Sequence, residues 1–166
     1  EKFQHQMYVT TVTETHDFWR TVSKRYAREP VIAMYELFNE PTISGERFGD
    51  MSWPEWKQMN EAMIRIIREN HPKAIVLVAG FNWAYDLTPV LENPIQAQNI
   101  AYVSHPYPQK RRAPWEAQWE KDWGHVADTY PVILTEIGFA LPEEKGAHVP
   151  VKGDEVYGNA LVTYAA

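Results

Sequence analysis

The 166-residue sequence contains no cysteine. That removes disulfides, thiolate metal sites and thiol nucleophiles together, and leaves the redox compartment open. Basic charge is scarce: 16 Lys and Arg against 22 Asp and Glu give a formal net charge of −6. A chain of that balance has no surface to neutralise phosphates, which argues against a nucleic-acid partner. Lys110-Arg111-Arg112 is the only basic cluster, and three such residues in a loop read as solvated charge. No apolar run approaches the roughly 20 residues that a membrane span needs, so no membrane partner is expected, and the opening EKFQHQ does not read as a secretory signal. Glycine is sparse, and no Gly-rich phosphate loop follows any apolar run, which weakens the case for a nucleotide-binding sheet. Repeats, low-complexity tracts and linkers are absent, so residues 1–166 read as one domain.

What the sequence has in plenty is aromatic surface, 13% of residues with seven Trp. A Trp face suits a sugar ring as well as a protein core. The chain alternates helical and strand patterns. Residues 1 to 12 read as a polar loop, followed by a helix from about Thr15 carrying Phe18, Trp19, Val22 and Tyr26 on one face, closed by Pro30. Val31 to Phe38 is an apolar strand. Ser52-Trp53-Pro54-Glu55 is a capping box, and Trp56, Met59, Met63, Ile66 and Ile67 continue a stripe to Pro72. Further strands are expected at 74–79, 100–104 and 132–136, with a short helix around Leu87 to Leu91. Trp115, Trp119, Trp123 and Val126 form a helical stripe, and a last helix begins near Asp154. Repeated helical crossovers between strands predict a right-handed parallel α/β sheet, either doubly wound or a barrel.

Two of these strands end alike. VIAMYELFNEP stops at Asn39-Glu40-Pro41, where proline cannot continue a ladder, and PVILTEIGF ends on Glu136. Chemistry in parallel sheets is built at such C-terminal tips, and glutamates on two of them are the equipment of a glycosidase. Functional residues on the tips of several strands favour the barrel, yet four strands cannot close one of eight.

The chain resembles the central part of glycoside hydrolase family 5, retaining enzymes that include cellulases and share the (β/α)₈ or TIM barrel. YELFNEP is similar to the family's fourth strand, SHPYP to its sixth and ILTEIGF to its seventh. The resemblance runs from roughly Phe18 to Phe139 and implies strands 4 to 7 with helices 3 to 7, about half of a barrel. It implies Glu40 as acid/base, Glu136 as nucleophile, Asn39 as the holder of the sugar 2-OH, and His105 and Tyr107 as their neighbours, Tyr107 hydrogen-bonding Glu136. An arginine, a histidine and a tryptophan from strands two, three and eight are also implied, and neither His5 nor His16 can be assigned as that histidine.

The expected activity is retaining endo-β-1,4-glucanase cleavage by double displacement, in which like charges in one site raise one carboxyl pKa and set the acid apart from the nucleophile. The alternatives are a hemicellulase of the same family (xyloglucan, mannan or mixed-linkage glucan) and a half-barrel that self-associates and binds glycan without turnover. Trp83, just beyond the strand at 74–79, is a candidate sugar platform, and Trp115 is open between platform and core. Glu36 shares strand parity with Glu40 and reads as a buried, paired structural carboxylate. No cofactor is expected, and no catalytic metal, because no His/Asp cluster has ligand spacing. The expected partner is a β-linked polysaccharide or oligosaccharide. The resemblance implies secretion. Exposed sheet edges lead to the expectation that a lone 166-residue chain pairs with a second copy as a homodimer and is not fully active.

Overall fold

The apolar runs pair side by side in the order in which they occur. In the computed structural model, residues 10–41, 51–141 and 153–166 are described, and the statements below concern those residues. Strands β1 (Met34–Glu36), β2 (Ile75–Ala79), β3 (Ile100–Val103) and β4 (Val132–Ile133) form one wholly parallel sheet of order β1-β2-β3-β4. Glu36 lies opposite Leu77, Ala79 opposite Val103, and Val103 opposite Ile133. Each new strand adds on the same side. A doubly wound sheet reverses order at a switch point; a barrel does not.

Alternation along the strands separates two apolar layers. Tyr35, Val76, Val78 and Tyr102 pack outward with Met63, Ile67, Trp119 and Trp123 of the helices. Leu77, Ala79, Ala101 and Val103 form a second, smaller cluster on the opposite face, joined by Ala84 and Ile133. Glu36 stands on that inner face by its pairing with Leu77.

The helices are α1 (Val12–Tyr26), α2 (Trp53–Asn70), the one-turn α3 (Phe81–Ala84), α4 (Glu116–Asp122) and α5 (Glu155–Ala165). α2 begins where its capping box predicts, at Ser52 with Glu55, and buries Trp56, Met63, Ile66 and Ile67. α5 likewise starts at its cap, Asp154, whose side chain accepts from the Tyr157 N–H. α1 starts earlier than the Thr15 expectation. Thr11 and Glu14 form a capping box that satisfies the first-turn donors, and Phe18 faces solvent at 56% exposure while Trp19 is buried. His16 falls in α1, and His5 lies outside the described residues.

Two strands are shorter than expected. Val31 is 82% exposed and β1 begins only at Met34, while β4 ends at Ile133 rather than at Glu136. Apolar composition marks what can be buried, whereas ladder length depends on which neighbour is alongside.

The expected helix at 87–91 is replaced by α3, a left-handed turn with φ of 56° at Asn82, 61° at Trp83 and 55° at Ala84. Such residues cost roughly 1–2 kcal/mol each, so other contacts must hold them. Tyr85 N–H and Asp86 N–H both donate to the Phe81 carbonyl at 2.9 Å, and Trp83 N–H donates to the Pro41 carbonyl at 2.8 Å. Gly80 permits the start of the turn, since a Cβ there would lie 2.0 Å from the Asp86 carbonyl oxygen.

The chain beyond α3 is tied to α4 by Asp122. Its buried carboxylate accepts from the Tyr85 hydroxyl at 2.7 Å and from Arg111 Nε at 2.6 Å, and its backbone carbonyl accepts from Leu87 N–H at 2.8 Å. Burial and this carboxylate push the Tyr85 phenol pKa upward. Replacing Asp122 by Ala leaves the buried Tyr85 hydroxyl without its acceptor, whereas the half-exposed Arg111 can rehydrate. Asp122→Ala is therefore expected to destabilise by about 2 kcal/mol, with Tyr85→Phe adding much less on top. Urea unfolding of the single and double variants checks this; full additivity would dissociate the two residues.

Candidate active site

The parallel register brings the ends of β1, β3 and β4 to one edge. Beyond β1 the chain is held by Leu37 N–H donating to the Leu77 carbonyl at 3.2 Å, and Phe38 packs on Trp56 with ring centroids 4.9 Å apart. Glu40 follows. Beyond β3, Ser104 N–H donates to the Ile133 carbonyl at 3.2 Å and its hydroxyl to the Tyr85 carbonyl at 3.0 Å. His105 N–H donates to the Ala84 carbonyl at 2.7 Å. Thus the left-handed turn after β2 is also the backbone socket for His105. Beyond β4 come Thr135 and Glu136.

The His105 ring is fully buried and stands among carboxylates. Its Nδ1 is 3.1 Å from Glu40 Oε1 and 3.7 Å from Glu136 Oε2. Its Nε2 is 3.0 Å from Thr135 Oγ1 and 3.8 Å from Glu36 Oε1. The Glu40 and Glu136 side chains remain 27% and 41% exposed, so both are open to a ligand from outside. The Tyr107 hydroxyl donates to Glu136 Oε1 at 2.6 Å. Burial, and then that bond, push the Tyr107 pKa up to about 12, so the phenol keeps its donor proton at neutral pH. Burial raises the Glu36 carboxyl above its ordinary range, with His105 and Thr135 opposing the rise. Burial also pushes Lys110 down to about 8, while Glu40 favours its charged form.

The structure therefore gathers Glu40, His105, Tyr107 and Glu136 into one cluster. Asn39 is exposed on the same tip as Glu40. Trp83 is 42% exposed on the α3 turn, whose backbone carbonyl at Asn82 accepts from Lys110 Nζ at 2.7 Å. Trp115 is committed elsewhere. It stacks on Trp119 at 12° with centroids 6.0 Å apart, meets Tyr157 edge-on at 5.3 Å, and donates its N–H to the Arg111 carbonyl. It packs in the aromatic layer between α4 and α5, on the core side of the two readings left open for it.

Glu36 is also more than the buried structural carboxylate expected of it. A quarter of its side chain is exposed, and it accepts from the Thr135 hydroxyl at 3.3 Å within the same cluster. Sequence reasoning missed Thr135: alternation turns it away from Glu136 and onto the inner face it shares with Ile133, where its hydroxyl meets His105 and Glu36. Chain spacing also hides that Glu40, His105 and Glu136 each place one ligand-type atom within 4.8 Å of the others.

Comparison with known proteins matches this geometry to a family. The sequence profile described as Cellulase (glycosyl hydrolase family 5) matches residues 2–164. A β-glucanase from Saccharophagus degradans superposes with a TM-score of 0.90 at 50% identity, covering 97% of this chain and 50% of that one. The same β-glucanase in complex with cellotetraose superposes with a TM-score of 0.89 at 49% identity over 97% of this chain and 50% of that one. Endoglucanase E-5 of Thermobifida fusca is 25% identical over 138 residues, 79% of this chain and 27% of that protein. The chain thus spans about half the length of the solved β-glucanase and about a quarter of the endoglucanase. The four-stranded parallel sheet is part of a (β/α)₈ barrel.

Lys110 yields a pH test. Folding depresses its pKa from 10.5 to about 8. Between those values the unfolded chain binds the extra proton, so stability rises with pH across that window and is flat below it with respect to this group. Lys110→Met is expected to flatten the rise between pH 8 and 10.5. Urea midpoints at stepped pH for both proteins measure it; identical slopes would remove Lys110 as the source.

Proposed function

The chain belongs to the cellulase family, glycosyl hydrolase family 5, and on that premise we propose that this protein hydrolyses β-1,4-linked glucan by double displacement with retention. Glu136 is the nucleophile and Glu40 the acid/base. The observation that carries the reading is the approach of the two carboxylates across one buried imidazole, with oxygens of Glu40 and Glu136 within 4.8 Å of each other. An inverting pair needs about 6.5–9.5 Å to admit a water between its carboxyl groups, while a retaining pair stands at about 5–5.5 Å. The spacing supports direct attack.

In the first step an ionised Glu136 Oε2 attacks the anomeric carbon as Glu40 gives its proton to the departing glycosidic oxygen. Tyr107 holds Glu136 Oε1 and so leaves the other oxygen free to attack. In the second step Glu40 takes a proton from water, the hydroxide adds to the anomeric carbon, and the bond to Glu136 breaks. The exposed amide of Asn39, beside Glu40, suits the sugar 2-OH, an interaction that strengthens in the transition state. Trp83 supplies a half-exposed aromatic face for a ring further along the chain. The cellotetraose held by the 49%-identical β-glucanase supports a β-1,4-linked substrate. A polymer of that kind is met outside the cell, where we place the reaction.

In the full-length protein, Glu136→Ala is expected to abolish cleavage of β-glucan, a loss of about 10⁴-fold or more. Glu40→Ala should spare activated aryl glycosides far more than cellooligosaccharides, because a good leaving group needs little protonation. Proton NMR of the fresh product should show the β anomer first. Net inversion would overturn the mechanism, and wild-type turnover by Glu136→Ala would remove the nucleophile.

A further inference from the structure

Glu36 and Thr135 lie behind the reacting carboxylates and touch neither of them in the steps above. Their hydrogen bonds run in one direction. A threonine hydroxyl has a single proton, and here it is placed to donate to Glu36 Oε1 at 3.3 Å. Its oxygen is then free to accept, and the atom facing it at 3.0 Å is His105 Nε2. With the ring proton on Nε2, the neutral imidazole has only a lone pair at Nδ1, which faces Glu40 Oε1 at 3.1 Å.

We propose that Glu36, through Thr135, fixes His105 as its Nε2–H tautomer, so that Nδ1 accepts a hydrogen bond from the carboxylic-acid form of Glu40 and holds that acid ready to donate. Glu36 and Thr135 are thus positioning residues for the acid/base, a role that rests on the assignment of Glu40 above. Reversing the chain reverses the outcome. A donor in place of the ionised Glu36 would turn the Thr135 hydroxyl toward Nε2, move the ring proton to Nδ1, and favour Glu40 as a carboxylate. The same arrangement serves the second step. Once Glu40 has lost its proton, its carboxylate confronts a lone pair at 3.1 Å, and taking a proton from the attacking water relieves that opposition.

The charged groups around the relay, among the described residues, act in both senses: the Glu136 carboxylate disfavours a second charge on Glu40, while Lys110 favours it. Glu136 faces Nδ1 at 3.7 Å, and Tyr107 directs its proton to Glu136 rather than to His105. Lys110 acts electrostatically on Glu40 and donates to the Asn82 carbonyl. No described cation occupies the Nε2 side, where Glu36 stands at 3.8 Å.

The ¹⁵N spectrum of the imidazole reads the tautomer directly and does not depend on turnover. In ¹⁵N-labelled full-length protein, with the His105 signals assigned by their loss in His105→Gln, Nε2 is expected to be protonated and Nδ1 bare. Thr135→Ser should keep that pattern, Thr135→Val should lose it, and Glu36→Gln, whose amide can donate to Thr135, should invert it. In kinetics, Thr135→Val and Glu36→Gln should each lower kcat on cellooligosaccharides by about tenfold or more, with a much smaller loss on a dinitrophenyl cellobioside. A merely structural role would slow both substrates alike. An Nδ1–H or doubly protonated ring in the wild type overturns the proposal, and so do equal losses on the two substrates. If instead Glu40→Gln cleaves cellooligosaccharides like the wild type, the acid/base reading fails, and the spectrum still decides the relay.

Discussion

A fully buried imidazole must satisfy two nitrogens without water, and the arrangement of this fold follows from doing so for His105. Glu40 meets one nitrogen and Thr135 the other, and these residues come from opposite edges of the four-stranded sheet. The ring therefore acts as a strut across strands that have no backbone contact with each other. It fixes how far the β1 and β4 tips stand apart, and that distance is what separates a carboxylate pair with room for water from one without.

The strut needs its own footing, and the footing is strained. His105 hangs its backbone N–H on Ala84, the last residue of a turn with three successive positive φ values. The turn is held from three sides: by Pro41 after β1, by Lys110 after β3, and by its own closure between Phe81 and Asp86. The first two of those contacts join neighbouring strand tips, so the turn is tied to the same loops that carry Glu40 and Tyr107. Asp122 then anchors the far end of the segment through Tyr85 and Leu87. Shifting any one loop disturbs all the groups around His105, which is how a site on loops acquires the rigidity that preorganised catalysis needs.

The broad outline was legible from the chain because it depends on local signals. Capping residues at Ser52 and Asp154 placed two helices, apolar runs placed four strands, and proline or glycine after Glu40 and Glu136 marked where the strands give out. Three features were not legible, for a common reason. The left-handed turn at 82–84 carries no glycine at its positive-φ residues and is imposed by partners distant in sequence. Thr135 shares the inner face with Ile133, but only the assembled sheet brings His105 of the neighbouring strand tip to 3.0 Å from its hydroxyl. Trp115 could not be sorted between platform and core until α5 supplied Tyr157 against it. In each case a contact from elsewhere in the chain decided between local conformations of similar cost.

The gradient of exposure across the cluster accords with the division of labour proposed for it. Glu136 is the most open at 41%, Glu40 follows at 27%, and His105 is sealed at 0%. A nucleophile must reach the anomeric carbon and a proton donor the leaving oxygen, so neither can be buried without losing the substrate. A group that only orients a donor gains from the opposite condition. Water at His105 would offer its nitrogens alternative partners and blur the tautomer, whereas the dry interior leaves each nitrogen one near acceptor or donor. The small inner side chains of Ala79 and Ala101 leave space on the same face as Glu36 for this polar group within an otherwise apolar layer. Among the described residues, the inner face of the sheet thus becomes polar where three strand tips supply partners for His105, and the Glu40 and Glu136 carboxylates sit where that set meets solvent.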